Sequence, residues 1–312
     1  MIARETLIAL GLAAVALAVR LVWPDDSTLY FAMLVMIWSI FALGYDISFG
    51  LTGLLSFGHA AFFGMGAYAA AWAMQMGGFG FGTGLAAAVL LGAVLALVFA
   101  ALATRVSGLF FALMTLMLGE LVSLVMTTRL RALSGGVDGL PGVPRPDWFG
   151  IDFFENRHFY WVVWALFLAT LLACGLLRRS PLGQALLAVR QNAVRAGQLG
   201  LDVSAHRLVA VTVSGAFSGL AGALLAGLMM YAGPQNLGWR ISGDVVIMAV
   251  LGGSGTLIGP VLGVVLVEAL REWLSLYTKH TYGLIGLIII LCTLYLPRGI
   301  AGVWAGLWRA RA

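Results

Sequence analysis

The chain has 312 residues, 62% of them hydrophobic and only 10% charged, with a mean hydropathy of +1.00. Such a composition cannot wrap an apolar core in a polar shell, which excludes a soluble globular domain and predicts a polytopic membrane protein. The net charge of +5 rests on scattered arginines and a single lysine, with no long basic tract, so it speaks for loop orientation in a membrane and against nucleic acid as a partner.

Residues 6–23 form the first apolar run and lack a small-residue cleavage site, so they are expected to stay as a helix, with Arg20 snorkelling toward the headgroups. Residues 29–43 read as the second span. It runs into residues 44–72 (GYDISFGLTGLLSFGHAAFFGMGAYAAAW), the least regular stretch of the chain. Gly44, Gly50, Gly53 and Gly58 in close succession predict unwound chain at membrane depth, tolerated only where protein buries it or water reaches it. Asp46, Gly50, Gly53, Ser56, Gly58 and His59 are therefore candidates for a substrate pathway. Asp46 can cap amides freed at the break, and His59 either meets cargo or hydrogen-bonds a freed carbonyl.

Residues 60–76, 83–104 and 109–127 are the next three expected spans, with Arg105 marking a cytoplasmic turn. Residues 128–157 are polar and punctuated by Gly135, Gly136, Gly139, Pro141, Gly142, Pro144 and Pro146, which predicts an external loop. Residues 158–177 cross again and end at Arg178 and Arg179.

Ser180 followed by Pro181 is a helix start, and Leu182, Leu186, Val189 and Ala193 then share one face while Gln184, Arg190, Gln191 and Arg195 lie away from it. One short amphipathic helix ending near Gly200 is expected. Arg178, Arg179, Arg190, Arg195 and Arg207 against Asp202 place residues 178–207 in the cytoplasm. On its residues alone the helix either docks on a partner or lies on anionic lipid.

Residues 209–231 form a further span whose SGAFSGLAGALLAG run supplies small residues for close helix contact. A second break follows in residues 244–263 (DVVIMAVLGGSGTLIGPVLG), which adds Gly252, Gly253, Ser254 and Gly255 to the pathway candidates and loosely echoes the first, as an internal repeat would. Residues 261–276 and 282–296 complete the membrane part, and Arg298, Arg309 and Arg311 put the C-terminus in the cytoplasm with the N-terminus. The expectation is an all-α polytopic membrane protein of about ten spans, two of its segments glycine-broken, forming a single transmembrane permease domain over residues 1–312.

Glu120 and Glu268 lie inside apolar runs, as a proton-coupled secondary transporter would need. Cys174 and Cys292 lack the spacing of a metal site or redox pair. An ATP-binding P-loop needs a glycine-rich turn ending in Lys-Ser or Lys-Thr, but Lys279 is followed by His280, so any ATP hydrolysis belongs to another chain. No catalytic triad or metal cluster is legible, which predicts no enzyme and no cofactor bound by this chain.

Three ordered blocks, residues 50–68 (GLTGLLSFGHAAFFGMGAY), 188–225 (AVRQNAVRAGQLGLDVSAHRLVAVTVSGAFSGLAGALL) and 250–263 (VLGGSGTLIGPVLG), together resemble the permeases of branched-chain amino acid ABC importers, the LivH/LivM family, most nearly its LivM branch. The YLPRG tail at residues 295–299 is similar as well, while Arg207 stands where a lysine is common. Urea and short-amide permeases share these blocks. The resemblance covers roughly the whole membrane chain. It implies an importer of the bacterial cytoplasmic (inner) membrane, built from this chain, a second LivH-type permease, two cytoplasmic ATPase subunits that carry ATP-Mg, and a periplasmic or surface substrate-binding protein. It also makes the amphipathic helix a coupling helix, with Leu182, Leu186, Val189, Arg190 and Gly200 as its ATPase contacts. The cargo it implies is leucine, isoleucine or valine, and Phe57, Phe62, Phe63 and Met65 offer apolar walls to such side chains.

Overall fold

Inside hydrocarbon every backbone amide and carbonyl needs a partner within the protein, and the apolar runs answer by coiling into helices. The computed structural model describes residues 2–302 apart from 24, 107, 146, 149–150, 278–282, 285, 289 and 291–298. The expected span 282–296, Cys292, Lys279, most of the YLPRG block and the arginines of the tail therefore fall largely or wholly outside the described residues.

In chain order the helices are α1 (Ile2–Val22), α2 (Asp26–Thr52), α3 (His59–Gln75), α4 (Phe81–Ala103), α5 (Leu109–Thr128), the short α6 (Arg131–Ser134), α7 (Asn156–Arg179), α8 (Pro181–Gln191), α9 (Ala193–Gln198), α10 (Val203–Met229), α11 (Trp239–Gly252) and α12 (Gly259–Ser275). Five of them, α2, α4, α5, α7 and α10, are long and apolar enough to cross a membrane. Among the described residues, the connection between α5 and α7 contains no spanning helix. It carries β1 (Leu140–Pro141), paired antiparallel with β4 (Tyr231–Ala232), and a small hairpin of β2 (Asp147–Trp148) with β3 (Ile151–Asp152).

The bundle is built around α10, which packs against α2, α3 and α4. Small residues make that possible. A Cβ added at Gly222 would collide with the carbonyl oxygen of Phe63 on α3, and one at Gly219 with that of Ala88 on α4. Without a hydrophobic driving force between helices in lipid, such close backbone approach is what holds them.

Three further fasteners set the ends of the bundle. Asp25 caps α2 by accepting from the amide and hydroxyl of Thr28, and these bonds hold its carboxylate below the usual range. Arg145, buried in the loop between α5 and α7, donates to the carbonyls of Gly227 and Leu228 at the end of α10 and stacks over Phe159 at 4.9 Å. It thereby satisfies carbonyls that the helix end leaves open. Arg20 lies over the ring of Trp161 at 4.3 Å and donates to the carbonyl of Arg157, so it braces α1 on α7 as well as reaching for the surface.

Three sequence expectations are corrected here. The second span does not stop at Leu43: α2 continues through Thr52, so Gly44 and Gly50 are helical and the break is confined to residues 53–58. Gly44 serves close packing instead, since a Cβ there would lie 2.7 Å from the Cβ of Phe217 on α10. The amphipathic segment is two helices, because Asn192 leaves helical geometry and caps α9 by accepting from the amide of Arg195.

Gly222→Val is expected to destabilise the bundle by about 1–3 kcal/mol or more, the usual scale of overpacking where only backbone stands in the way. Thermal unfolding in detergent checks it, with Gly243→Ala, which meets nothing within 4 Å, as the control that should leave the midpoint unchanged.

Candidate functional site

The first break begins where Gly53 ends α2 in the left-handed conformation at φ 77°. A side chain there would be strained by the backbone conformation, although its Cβ would make only ordinary contact, 3.5 Å from Cγ of Arg190. Between Gly53 and Gly58 the chain is not helical, and side chains from three other elements, α5, α10 and α11, supply partners there and at the start of α3. Thr115 of α5 accepts from the amide of Phe57 at 3.2 Å, Ser56 accepts from that of Gly58 at 3.2 Å, and Ser242 of α11 accepts from that of Ala60 at 2.9 Å. His59 is fully buried, with Nδ1 2.9 Å from the Ser56 hydroxyl and Nε2 2.7 Å from that of Ser214 on α10. Its ring meets Tyr45 edge-on at 4.8 Å and Phe62 at 5.2 Å. His59, Ser56 and Gly58 thus form a closed knot, and the hydroxyls of Ser56 and Ser214 take the place expected of a freed carbonyl.

The second break lies between α11 and α12. Gly253 at φ 109° and Gly255 at φ 82° turn the chain, and Thr256 accepts from the amide of Gly259 at 2.9 Å while donating to the carbonyl of Gly253 at 2.9 Å. Gly252 allows the two short helices to cross closely, and Ser254 is half-buried in the turn. Gly299, the last residue of the YLPRG block, packs directly on Gly252 and Gly253.

Asp46 joins the two breaks. It is buried on α2, and its Oδ1 accepts from the amide of Gly255 at 2.9 Å while Oδ2 accepts from Arg178 at 2.6 Å. Arg178, at the end of α7, completes a ring by donating to the carbonyl of Gly255 at 2.8 Å. Arg190 of α8 donates to the carbonyl of Gly50 and borders Gly255, where an added Cβ would lie 2.6 Å from its guanidinium. Asp46 was expected to cap amides of its own break; the amide it holds belongs to the other one. Arg178, which sequence reasoning used only as a marker of sidedness, is its counter-charge. Ser214, Ser242 and Thr115 were also missed, and their only sequence signal is a hydroxyl in an otherwise apolar run.

The coupling residues divide by side. Leu186 and Val189 are buried and Leu182 half-buried against α2, α7 and α10, so the apolar face of α8 is covered by this chain's own spans. They are not available to a groove on another protein, because one face cannot be buried twice. Gly200 is exposed at φ 87°, just beyond α9. The apolar side chains left open in this region are Val194 on α9 and Leu199 after it, 72% and 84% exposed.

Glu120 and Glu268 are not a pair. Glu120 on α5 accepts from the amide of Trp239, which opens α11, at 3.0 Å. Glu268 on α12 accepts from Arg271 at 3.1 Å, and Arg271 also pairs with Asp244 of α11 at 3.1 Å. Cys174 is buried, and no group of ligating side chains that could hold a metal occurs among the described residues.

Apolar spans, two glycine-turned breaks and an amphipathic helix tied to both of them make the architecture of a transport permease. The family described as branched-chain amino acid transport system, permease component, matches residues 27–294, and the chain belongs to it. The chain is 30% identical over 310 residues to the high-affinity branched-chain amino acid transport system permease protein LivM of Escherichia coli K12, covering 91% of this chain and 73% of that protein. It is 27% identical over 285 residues to LivH of the same organism, covering 85% and 91%. A shorter match, 26% identical over 158 residues and covering 49% of this chain and 45% of that protein, is to the autoinducer 2 import system permease protein LsrC of Photorhabdus laumondii. No solved structure matches the chain. These relatives are transport permeases and not enzymes, and the chain is a permease of the ABC importer kind.

Asp46→Asn leaves Arg178 without its counter-charge and is expected to cost about 3–5 kcal/mol, the scale for breaking one side of a buried ion pair. The double variant Asp46→Asn with Arg178→Gln should cost less than the sum of the two single changes. A double-mutant cycle on thermal stability measures it, and additive losses would mean that the pair contributes nothing as a pair.

Proposed function

We propose that this chain is the LivM-like permease of an ATP-driven importer of small aliphatic amino acids, working with a second LivH-type permease, two cytoplasmic ATPase subunits and an external binding protein in the bacterial cytoplasmic membrane. The similarity to LivM over nearly the whole chain carries this reading. Leucine, isoleucine and valine are the cargo that such relatives' names favour.

The geometry supports a specific route for coupling. In this reading α8 and α9 face the ATPases, the loop between α5 and α7 faces outward, and both termini lie in the cytoplasm. Val194 and Leu199 are the residues that a partner would cover. Leu186 and Val189 fix α8 to the spans, so a push on α9 is handed to α2 through close packing. Arg190 carries the same displacement to Gly50 and Gly255, the rims of the two breaks. Packed interfaces shift between discrete arrangements rather than deforming smoothly, which lets a small movement of α8 open or shut the chain at both breaks.

Reconstitution of the whole complex in liposomes tests the function. ATP-driven uptake of labelled leucine, reduced by excess isoleucine or valine and unaffected by urea or acetamide, is the expected result. Inhibition by urea or acetamide but not by the aliphatic amino acids would overturn the cargo. Uptake by this chain alone, driven by a pH step, would overturn the ATP-driven reading.

The docking face has its own test. Val194→Asp and Leu199→Asp should each weaken ATPase association by about 1–3 kcal/mol while leaving the thermal stability of the isolated permease unchanged. Leu186→Asp should instead destabilise the permease itself, and the two kinds of loss are separated by co-purification and thermal unfolding.

A further inference from the structure

The chain between β4 and α11 enters the membrane without forming a spanning helix. Gln75, at the end of α3, donates to the carbonyl of Pro141 at 2.8 Å, and Pro141 pairs with Tyr231, so Tyr231 stands level with the end of α3. Six residues further along, Leu237 packs on Gly64, where an added Cβ would lie 2.6 Å from its Cδ2 and 2.9 Å from the carbonyl oxygen of Asn236. Gly64 lies eleven residues back along α3, a descent of about 16 Å and so about half the hydrocarbon core. The same depth is reached on α5, where Glu120, midway along that helix, accepts from the amide of Trp239. Only there does α11 begin, and its 14 residues cover about 21 Å, too little to cross the membrane alone. Residues 233–238, a 3-10 turn at Pro234–Leu237 set between two glycines, supply the rest of the crossing.

Irregular backbone at such depth is tolerated where protein buries it or water meets it, and this segment has a side of each kind. Asn236 and Leu237 are buried on α3, while Gln235 and Trp239 are exposed. An exposed amide within the membrane faces water rather than hydrocarbon. Beneath the buried side lies a polar group without a use in the fold. Gly64, Tyr68, Trp72 and Gln75 run along one face of α3 at helical spacing, and Trp72 and Gln75 donate to the carbonyls of Leu133 and Pro141 in the loop between α5 and α7. Tyr68 is fully buried and within electrostatic reach of Tyr231, and its hydroxyl has no hydrogen-bond partner among the described residues. A buried hydroxyl left unmet costs stability, and this one gains a partner only when something polar enters beside it.

We propose that residues 233–238 form the outer gate of the cargo pathway, and that the Tyr68 hydroxyl, sealed beneath them here, donates to the carboxylate of the amino acid that passes when the segment lifts from Gly64. This rests on the importer reading above, which also sets this half of the membrane as the outer one. The moving part is the segment and not α3, because the opposite face of α3 is locked on α10, where a Cβ at Gly66 or Gly222 would strike backbone. The segment's own bonds are local, from the amide of Asn236 to the carbonyl of Gly233 and from that of Gly238 to Gln235. Lifting it from Gly64 therefore undoes packing rather than a hydrogen-bonded ladder, and small residues at its two ends can absorb the change in backbone angle.

The test uses the assembled complex in liposomes, fed by leucine-loaded binding protein, with leucine transported per ATP hydrolysed as the readout. Tyr68→Phe removes a hydroxyl that the closed state leaves unmet, so the thermal midpoint should stay the same or rise, while the transport ratio should fall about tenfold, the scale of one hydrogen bond to a charged group. An unchanged ratio overturns the cargo contact. A lowered midpoint overturns it too, because the hydroxyl would then already be bonded in the resting fold. For the gate, the thiol of Leu237→Cys should be protected from a water-soluble maleimide before ATP is added and react during turnover, above the background of the parent chain. Asn236→Cys is the second such variant. Protection of both thiols throughout leucine uptake, or full labelling of both before ATP is added, overturns the gate. A parent complex that hydrolyses ATP and moves no amino acid overturns the importer reading and this inference with it, whereas a parent that transports leucine leaves the variants to decide the inference alone.

Discussion

Asp46 sits on a helix that the membrane would otherwise require to be apolar, and its charge has to be met within the protein. An unpaired carboxylate in such surroundings costs several kcal/mol, and a pair is tolerated only when the remaining lone pairs are also occupied. Here Arg178 and the amide of Gly255 occupy both oxygens. Because these come from the end of α7 and the turn between α11 and α12, meeting that one charge fixes where three separate segments come together. Arg190 then brings α8 to the same place through the carbonyl of Gly50.

The two breaks obey the same requirement in different ways. At the first, freed amides are collected by hydroxyls of Thr115, Ser56 and Ser242, and His59 links Ser56 to Ser214. At the second, the chain largely satisfies itself through Thr256 and two left-handed glycines. The first is therefore tied to α5, α10 and α11 by side chains. The second is held mainly by its own turn and by the bonds of Asp46 and Arg178 to Gly255.

The helix pair outside the spans shows why amphipathicity alone does not identify a docking face. An apolar stripe on a short helix records that something covers it, and here the spans of the same chain do so through Leu186 and Val189. The apolar residues left open are Val194 on α9 and Leu199 just after it, too few to register as a stripe. Glu120 carries a similar lesson from the opposite direction. An ionisable residue in an apolar run is visible at once, but its role turns on what stands near it, and Trp239 lies 119 positions along the chain.

Much was legible from residues alone, because the physics behind it is local. Hydropathy and run length depend on neighbours in sequence, so the membrane class, most helix positions and the small-residue surface of α10 could be read directly. Ser180 and Pro181 announced the start of α8 for the same reason. The position of the first break was read too broadly, since a glycine that loosens a helix and one that admits a neighbouring helix are the same letter. Gly44 and Gly50 remain helical because the backbone bonds of α2 continue through them, and only the presence of Phe217 and Asp46 beside them explains their size. The pairing of Asp46 with Arg178 and Gly255, the enclosure of His59 and the coverage of Leu186 were decided only in three dimensions. Each is a contact between segments distant in sequence, and which partner a buried polar group finds depends on the whole packed bundle rather than on its own stretch of chain.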